Sequence, residues 1–224
     1  MIMPKGRCNK RTRPVSGRFF MAVVLGLLLG GGCVWGQKLS SRNFDAANLT
    51  QLQIAADQIF EVELYSASSG GIQAEIAIEG EYQNDLTVTS KKEGSTLILE
   101  GSFMPAFENP NDKLSAHKVV SVRLKVGVPD HLGVVVSGTG TRVAAKGYFN
   151  SLEVSTGKGP VVLEEVTGMI EVKTLSGEIL VTDVHGEILA VSNYGQVFRG
   201  AVTEGNAKVK LESVNGDIYI NKQE

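Results

Sequence analysis

Apolar and polar residues alternate with a period of two along most of the chain after Ile59, and from Val135 to Ile220 the alternation recurs as one short text. The five repeats read VVSGTGTRVA, VSTGKGPVVL, VKTLSGEILV, AVSNYGQVFR and LESVNGDIYI. Each is centred on a glycine, Gly140, Gly159, Gly177, Gly195 and Gly216, at spacings of 19, 18, 18 and 21 residues. A period near twenty describes stacked supersecondary units better than a globular fold around one cleft. Five residues before the glycine stand Val135, Val154, Val172, Ala190 and Leu211; two after it stand Arg142, Val161, Ile179, Val197 and Ile218. Period-two alternation on both sides of a turn predicts half-buried strands. At the turn, glycine is expected for its tolerance of positive φ.

One column carries a hydroxyl in every repeat: Ser137, Thr156, Thr174, Ser192 and Ser213, three residues before the glycine. It shares the apolar face, so it should point inward and form a ladder that satisfies backbone groups at the corner. The competing reading of these hydroxyls is a row that binds sugar or an ion. The column one residue earlier is mostly polar, and its only charges, Lys173 and Glu212, stand two repeats apart in sequence.

Strands are also expected at Ile59–Tyr65, Ile72–Ile78, Leu86–Ser90, Thr96–Leu99 and Val119–Val128, separated by turn-forming residues. The nearest approach to a helical stripe is Ala46–Asp57, and it is weak. The loop 102–118 is long enough to hold a binding site, with Phe103, Phe107, Asp112, Lys113 and His117 as its candidate residues. The bland alternative is a connector whose phenylalanines plug an open end.

The N-terminus changes the picture of location. Lys5, Arg7, Lys10, Arg11, Arg13 and Arg18 precede an apolar run from Phe19 to Leu29 and then three glycines. That order describes a secretory signal over 1–36, too short for a membrane span. Val34 and Gly36 suit cleavage before Gln37; lipid attachment at Cys33 is the competing reading, and an uncleaved N-terminal anchor is the third. Both cysteines, Cys8 and Cys33, fall in this leader, so the mature chain has no thiol for a disulfide or thiolate metal site. Losing the leader's six basic residues takes the net charge from −2 to −8. So acidic a chain is a poor partner for nucleic acid or an anionic membrane.

The sequence offers little catalytic chemistry. There are three histidines, His117, His131 and His185, with no metal-ligand spacing and no G-x-S-x-G, P-loop or dinucleotide fingerprint. Asp183 and His185 would share one strand face, with Glu187 following; a solvated turn before Gly186 is the plainer reading. Glu164 and Glu165 are adjacent, so in a strand they would face opposite ways.

The run VRLKVGVPDHLGVVVSGTGTRVAAKGYFNSLEVSTGKGPVVLEEV resembles the adhesin-like domains of unknown function exported by Bacteroidetes, of the auto-transporter-adhesin-head (GIN) type. The matching pieces are Val128-Pro129, Ser137-Gly138-Thr139-Gly140 and Ser155-Thr156-Gly157-Lys158-Gly159. Later repeats depart from the pattern, with Leu175, Asn193 and Val214 in place of the first glycine. The resemblance implies secretion, an adhesin-like role and a β-solenoid-like stack. The expected fold is therefore all-β, a β-solenoid or β-helix-like stack of glycine-cornered coils of about 18–21 residues. Residues 37–128 form its N-terminal β region and 129–224 its repeats. The expected function is non-enzymatic binding, without a cofactor, of a glycan or envelope protein in the periplasm, outer membrane or extracellular space. The alternatives are a carbohydrate-active β-helix enzyme and a passive envelope scaffold. A pairing of exposed coil ends would give a dimer.

Overall fold

The computed structural model describes residues 38–68, 70–80, 86–103 and 120–221. The leader with Cys33, and Phe107, Asp112, Lys113 and His117 of the long loop, lie outside the described residues. The described residues are all-β, with no helix among them. In chain order the strands are β1 (Lys38–Asp45), β2 (Gln51–Ala55), β3 (Glu61–Ala67), β4 (Gly71–Gly80) and β5 (Leu86–Glu93). They continue as β6 (Thr96–Phe103), β7 (Val120–Pro129), β8 (Gly133–Gly138), β9 (Arg142–Thr156) and β10 (Val161–Thr174). The last five are β11 (Ile179–Thr182), β12 (Gly186–Ser192), β13 (Val197–Arg199), β14 (Ala207–Ser213) and β15 (Ile218–Ile220).

All belong to one 15-stranded sheet that is not closed. Two ladders run through it and share the long strands β9 and β10. The first is β1-β4-β7-β3-β9-β10-β11-β15-β13, and the second β5-β6-β2-β8-β9-β10-β14-β12. Pairing is parallel except at the N-terminal margin, where β4 runs antiparallel to β1 and β7, and β5 to β6. Alternate residues of both ladders point into one apolar cluster, which holds Leu52, Val62, Val154, Val172, Leu211 and Ile218. β14 shows the rule plainly: Ala207, Val209, Leu211 and Ser213 are buried, while Lys208 and Lys210 are exposed.

The register corrects the first repeat by one residue. β8 pairs with β9 as Val134↔Leu152, Val136↔Val154 and Gly138↔Thr156, so Ser137 falls opposite Ser155 and outside the hydroxyl column. Val134 and Val136 are buried, whereas Val135 is half-buried and Arg142 exposed. The residue equivalent to Gly159 is then Thr141, not Gly140, and the true spacing is 18 rather than 19. Thr141 explains the slip. Its Oγ1 donates to the Ala56 carbonyl at 2.6 Å, and a Cβ on Gly138 would come within 2.6 Å of that same oxygen. The corner hydroxyl is thus supplied from three residues downstream. Thr141→Val should cost about 1 kcal/mol, the net worth of one buried hydrogen bond. Ser137→Ala should stay within about 0.5 kcal/mol. Urea unfolding of the two variants reads the difference.

The corner glycines are required for closeness rather than for left-handed backbone. None of the five has a positive φ; among the described residues, the glycines that do are Gly80, Gly94, Gly147, Gly168 and Gly186. A Cβ on Gly159 would lie 1.8 Å from the Thr141 carbonyl oxygen, and one on Gly177 2.1 Å from the Gly159 oxygen. Gly216 would meet the Gly177 oxygen at 2.1 Å and Gly195 the Gly216 oxygen at 2.4 Å, while Gly140 has no atom within 4 Å. Successive corners therefore stack backbone on backbone, and only a residue without a side chain fits.

That chain of contacts also shows that spatial order differs from sequence order. β14 pairs with β10 at an offset of 39 residues and with β12 at an offset of 21, so the last repeat lies between the third and the fourth. β15 is likewise flanked by β11 and β13. Asn221 bridges the skipped level. Its Oδ1 accepts from the Val184 N–H at 3.2 Å, and its Nδ2 donates to the carbonyls of Val184 at 2.8 Å and Ala201 at 3.1 Å. The N-terminal end repeats the arrangement, with β2 between β6 and β8 and β3 between β7 and β9.

The segment nearest to a helical pattern, Ala46–Asp57, is a turn followed by strand β2. Leu49 N–H donates to Ala46 O at 3.0 Å, Ile59 to Ala56 O at 2.9 Å and Leu132 to Pro129 O at 3.1 Å. Each is a four-residue corner that ends on a buried apolar residue, which gives a spacing of three that imitates a helix.

Candidate functional site

The corner hydroxyls Thr156, Thr174, Ser213 and Ser192 occupy successive strands in that order. Thr156 donates to Gly159 O at 3.0 Å, Thr174 to Gly177 O at 2.8 Å and Ser192 to Gly216 O at 2.8 Å. Ser213 Oγ accepts from the Gly216 N–H at 2.8 Å and lies 3.0 Å from Thr174 Oγ1. Thr156, Thr174 and Ser213 are buried, so these groups serve the corner and have no access to a ligand. Phe103, the one described residue of the long-loop set, is at the end of β6 and is 40% exposed.

Asp183 and His185 do not share a strand face. They follow β11 in a corner where Asp183 has φ 52°, Val184 is buried, and His185 Nδ1 lies 2.8 Å from Thr203 Oγ1. Glu164 and Glu165 do act together, contrary to the alternation rule. Glu165 has φ 47° beside a register shift, and both carboxylates reach Lys146 Nζ, at 2.9 and 3.3 Å. Their hydrogen bonds raise the Lys146 pKa. Lys173 and Glu212 are direct register partners, because β14 sits against β10. They belong to a charged patch in which Glu171 contacts Lys173 at 2.9 Å and Lys210 at 3.1 Å, and Lys210 contacts Glu212 at 2.9 Å. Hydrogen bonds from Lys173 and then Lys210 hold the Glu171 carboxyl below its ordinary value.

A groove lies on the outer face of the first ladder. Its two adjoining hollows, of about 470 and 510 Å³, share Glu63, Glu75 and Lys125. The register puts these three in one row, Glu75↔Lys125↔Glu63, which continues into Ala144 and Val162. The next row is Gly127↔Tyr65↔Lys146↔Glu164. A Cβ on Gly127 would stand 2.8 Å from Tyr65 Cζ and hydroxyl oxygen, so the phenol ring lies flat across that glycine. Lys125 Nζ stands 5.6 Å from the ring centroid, within cation–π reach. The groove thus offers an aromatic face bordered by carboxylates and ammonium groups. Sequence reasoning passed over these residues because they are dispersed over 100 positions and meet only through parallel pairing. Among the described residues, no group of three His, Cys, Asp or Glu side chains is placed to hold a metal ion.

No protein-family profile matches the chain, and no curated protein matches it in sequence. Solved structures do. A "putative cell adhesion protein" from Clostridium sporogenes aligns with a TM-score of 0.56 at 16% identity, over 83% of this chain and 98% of that one. A "putative adhesin" from Bacteroides fragilis aligns with a TM-score of 0.33 at 11% identity, over 83% of this chain and 99% of that one. A "putative lipid binding protein" from Parabacteroides distasonis gives 0.32 at 11%, over 82% and 97%. The chain shares its fold with the clostridial protein.

Proposed function

We propose that this is an exported, non-enzymatic, adhesin-like protein that binds a glycan in the groove around Tyr65. Its architecture is a β-solenoid-like stack of coils of 18 to 21 residues. The parallel offsets of 18 between β9, β10 and β11 and of 21 between β12 and β14 support that reading. So do Gly159, Gly177, Gly195 and Gly216, each set against the carbonyl of its neighbour. The basic and apolar leader supports export, and the fold shared with a "putative cell adhesion protein" supports an adhesin-like role.

The observation that carries the ligand class is the flat Tyr65 ring at Gly127 among Glu63, Glu75 and Lys125. A pyranose presents an apolar C–H face that stacks on an aromatic ring, and a rim of hydroxyls that bond charged groups. The test is a titration against a panel of surface polysaccharides and oligosaccharides. Tyr65→Ala should weaken the best ligand by about tenfold, the scale of one aromatic contact. Gly127→Val should do the same with the ring still present, because the new side chain displaces it. Binding that ignores both substitutions would remove the groove from the account; absence of any glycan binding would remove the ligand class.

A further inference from the structure

The two margins of the sheet are finished differently. At the N-terminal margin the edge strands are β1 and β5, each antiparallel to its neighbour, and they carry Lys38, Arg42, Lys91 and Lys92. Edge lysines of this kind discourage pairing with another chain. At the C-terminal margin the edge strands are β12 and β13, each parallel to its one neighbour. β12 reads GEILAVS, with a single charge at Glu187. Leu189 and Val191 are each 59% exposed on its outer face, while Ala190 and Val197 are only partly buried over the end of the core. A stacked fold normally closes such an end with a polar unit.

The direction of the main-chain groups of β12 follows from its two ends. His185 O accepts from Ala207 N–H, and Asn193 N–H donates to Ser213 O, so the odd-numbered residues face β14. The N–H and C=O of Ile188, Ala190 and Ser192 therefore face the open edge, since alternate residues of a strand bond to opposite sides. Among the described residues, the Arg199 side chain covers part of that edge. Arg199 reaches across from β13 and donates to Ile188 O at 3.3 Å and Ala190 O at 3.2 Å.

We propose that β12 is a two-fold self-association edge for a second copy of this chain, and that Arg199 is the latch that holds it shut. The occupant follows from self-complementarity. An antiparallel pair centred on Ala190 sets Ala190 against itself and Ile188 against Ser192 of the second copy, the three positions whose main-chain groups face outward. On the outer face the same register sets Leu189 against Val191 of the second copy, apolar against apolar, and Glu187 against Asn193. Pairing with the lysine-bearing N-terminal margin would instead bring ammonium groups onto an apolar strand. It would also give open-ended fibres rather than a closed dimer. Strand addition needs the carbonyls of Ile188 and Ala190, so it competes directly with the two Arg199 hydrogen bonds. Self-association here does not depend on the glycan groove, which lies on the other ladder.

The test is sedimentation velocity over a concentration series on the protein purified from its host. Arg199→Ala should tighten dimerisation by about tenfold or more, the loss of two charge-assisted hydrogen bonds that oppose it. Adding Ala190→Pro should return the chain to monomer with an unchanged melting curve, because that N–H points off the sheet and proline is tolerated on an edge. Arg199→Lys should fall between wild type and Arg199→Ala, and it is read by the same criteria if the alanine variant does not fold. The proposal is overturned if the folded Arg199 variants associate no more than wild type. It is equally overturned if their dimer survives Ala190→Pro, or if they form open-ended multimers.

Discussion

Gly159→Ala should lower stability by about 3 kcal/mol or more, the upper range of overpacking costs, while Gly140→Ala should leave it unchanged. In sequence the two glycines are the same feature of two consecutive repeats. In space they differ completely. A methyl group on Gly159 would meet the carbonyl oxygen, carbonyl carbon and nitrogen of Thr141 at 1.8, 2.3 and 2.9 Å, whereas Gly140 has nothing within 4 Å. The atoms at Gly159 are backbone, locked on both sides by parallel pairing, so the clash cannot be relieved by turning a rotamer. At Gly140 the added methyl stiffens the unfolded chain and meets nothing, an effect that tends to stabilise by a few tenths of a kcal/mol. For a domain of this size 3 kcal/mol corresponds to a fall in Tm of about 6–12 °C. Thermal unfolding of the two variants checks the pair. Equal effects would mean that the corners do not stack as described.

Val172→Asp should abolish folding at neutral pH. Val172 is fully buried between Val154 and Leu211 on the adjoining strands, so an introduced carboxylate finds neither water nor a cation. Burying such a group unpaired costs several kcal/mol, comparable with the whole stability of about 5–15 kcal/mol for a domain. One residue on, Lys173 points outward into the charged patch with Glu171. Lys173→Ala should cost about 0.5 kcal/mol or less, because an exposed ion pair contributes little. Circular dichroism and soluble yield compare the two. Similar losses at both positions would invert the assignment of faces.

The groove and the latch were illegible for one reason: each is assembled across strands whose partners the chain does not announce. Glu63, Lys125 and Ala144 line up only once β3 is known to lie between β7 and β9. Lys173 and Glu212 read as two repeats apart and are neighbours, because the last repeat enters between the third and fourth. The Glu164–Glu165 pair defeated the alternation rule through a left-handed residue, which no count of apolar positions detects. The first repeat was misread by one residue because two glycines, Gly138 and Gly140, offered rival centres and Thr141 supplied the hydroxyl. A three-residue apolar spacing at Ala46–Leu49 and Ala56–Ile59 reads as a helix turn, and it comes from corners between strands.

The all-β class, the inward and outward faces of the later repeats, and the glycine and hydroxyl columns at their corners are all legible in the order of residues. These are local properties. A period of two is imposed by the pleat, and a corner that touches its neighbour's backbone admits only glycine, whichever neighbour that is. The order of the strands, and with it the groove, the charged patch and the open C-terminal edge, emerges only on folding. Every repeat presents nearly the same apolar columns to the core, so the columns cannot say which repeat lies beside which. That choice falls to single contacts, such as the Asn221 amide spanning Val184 and Ala201, which exist only after the chain has folded back between its own repeats.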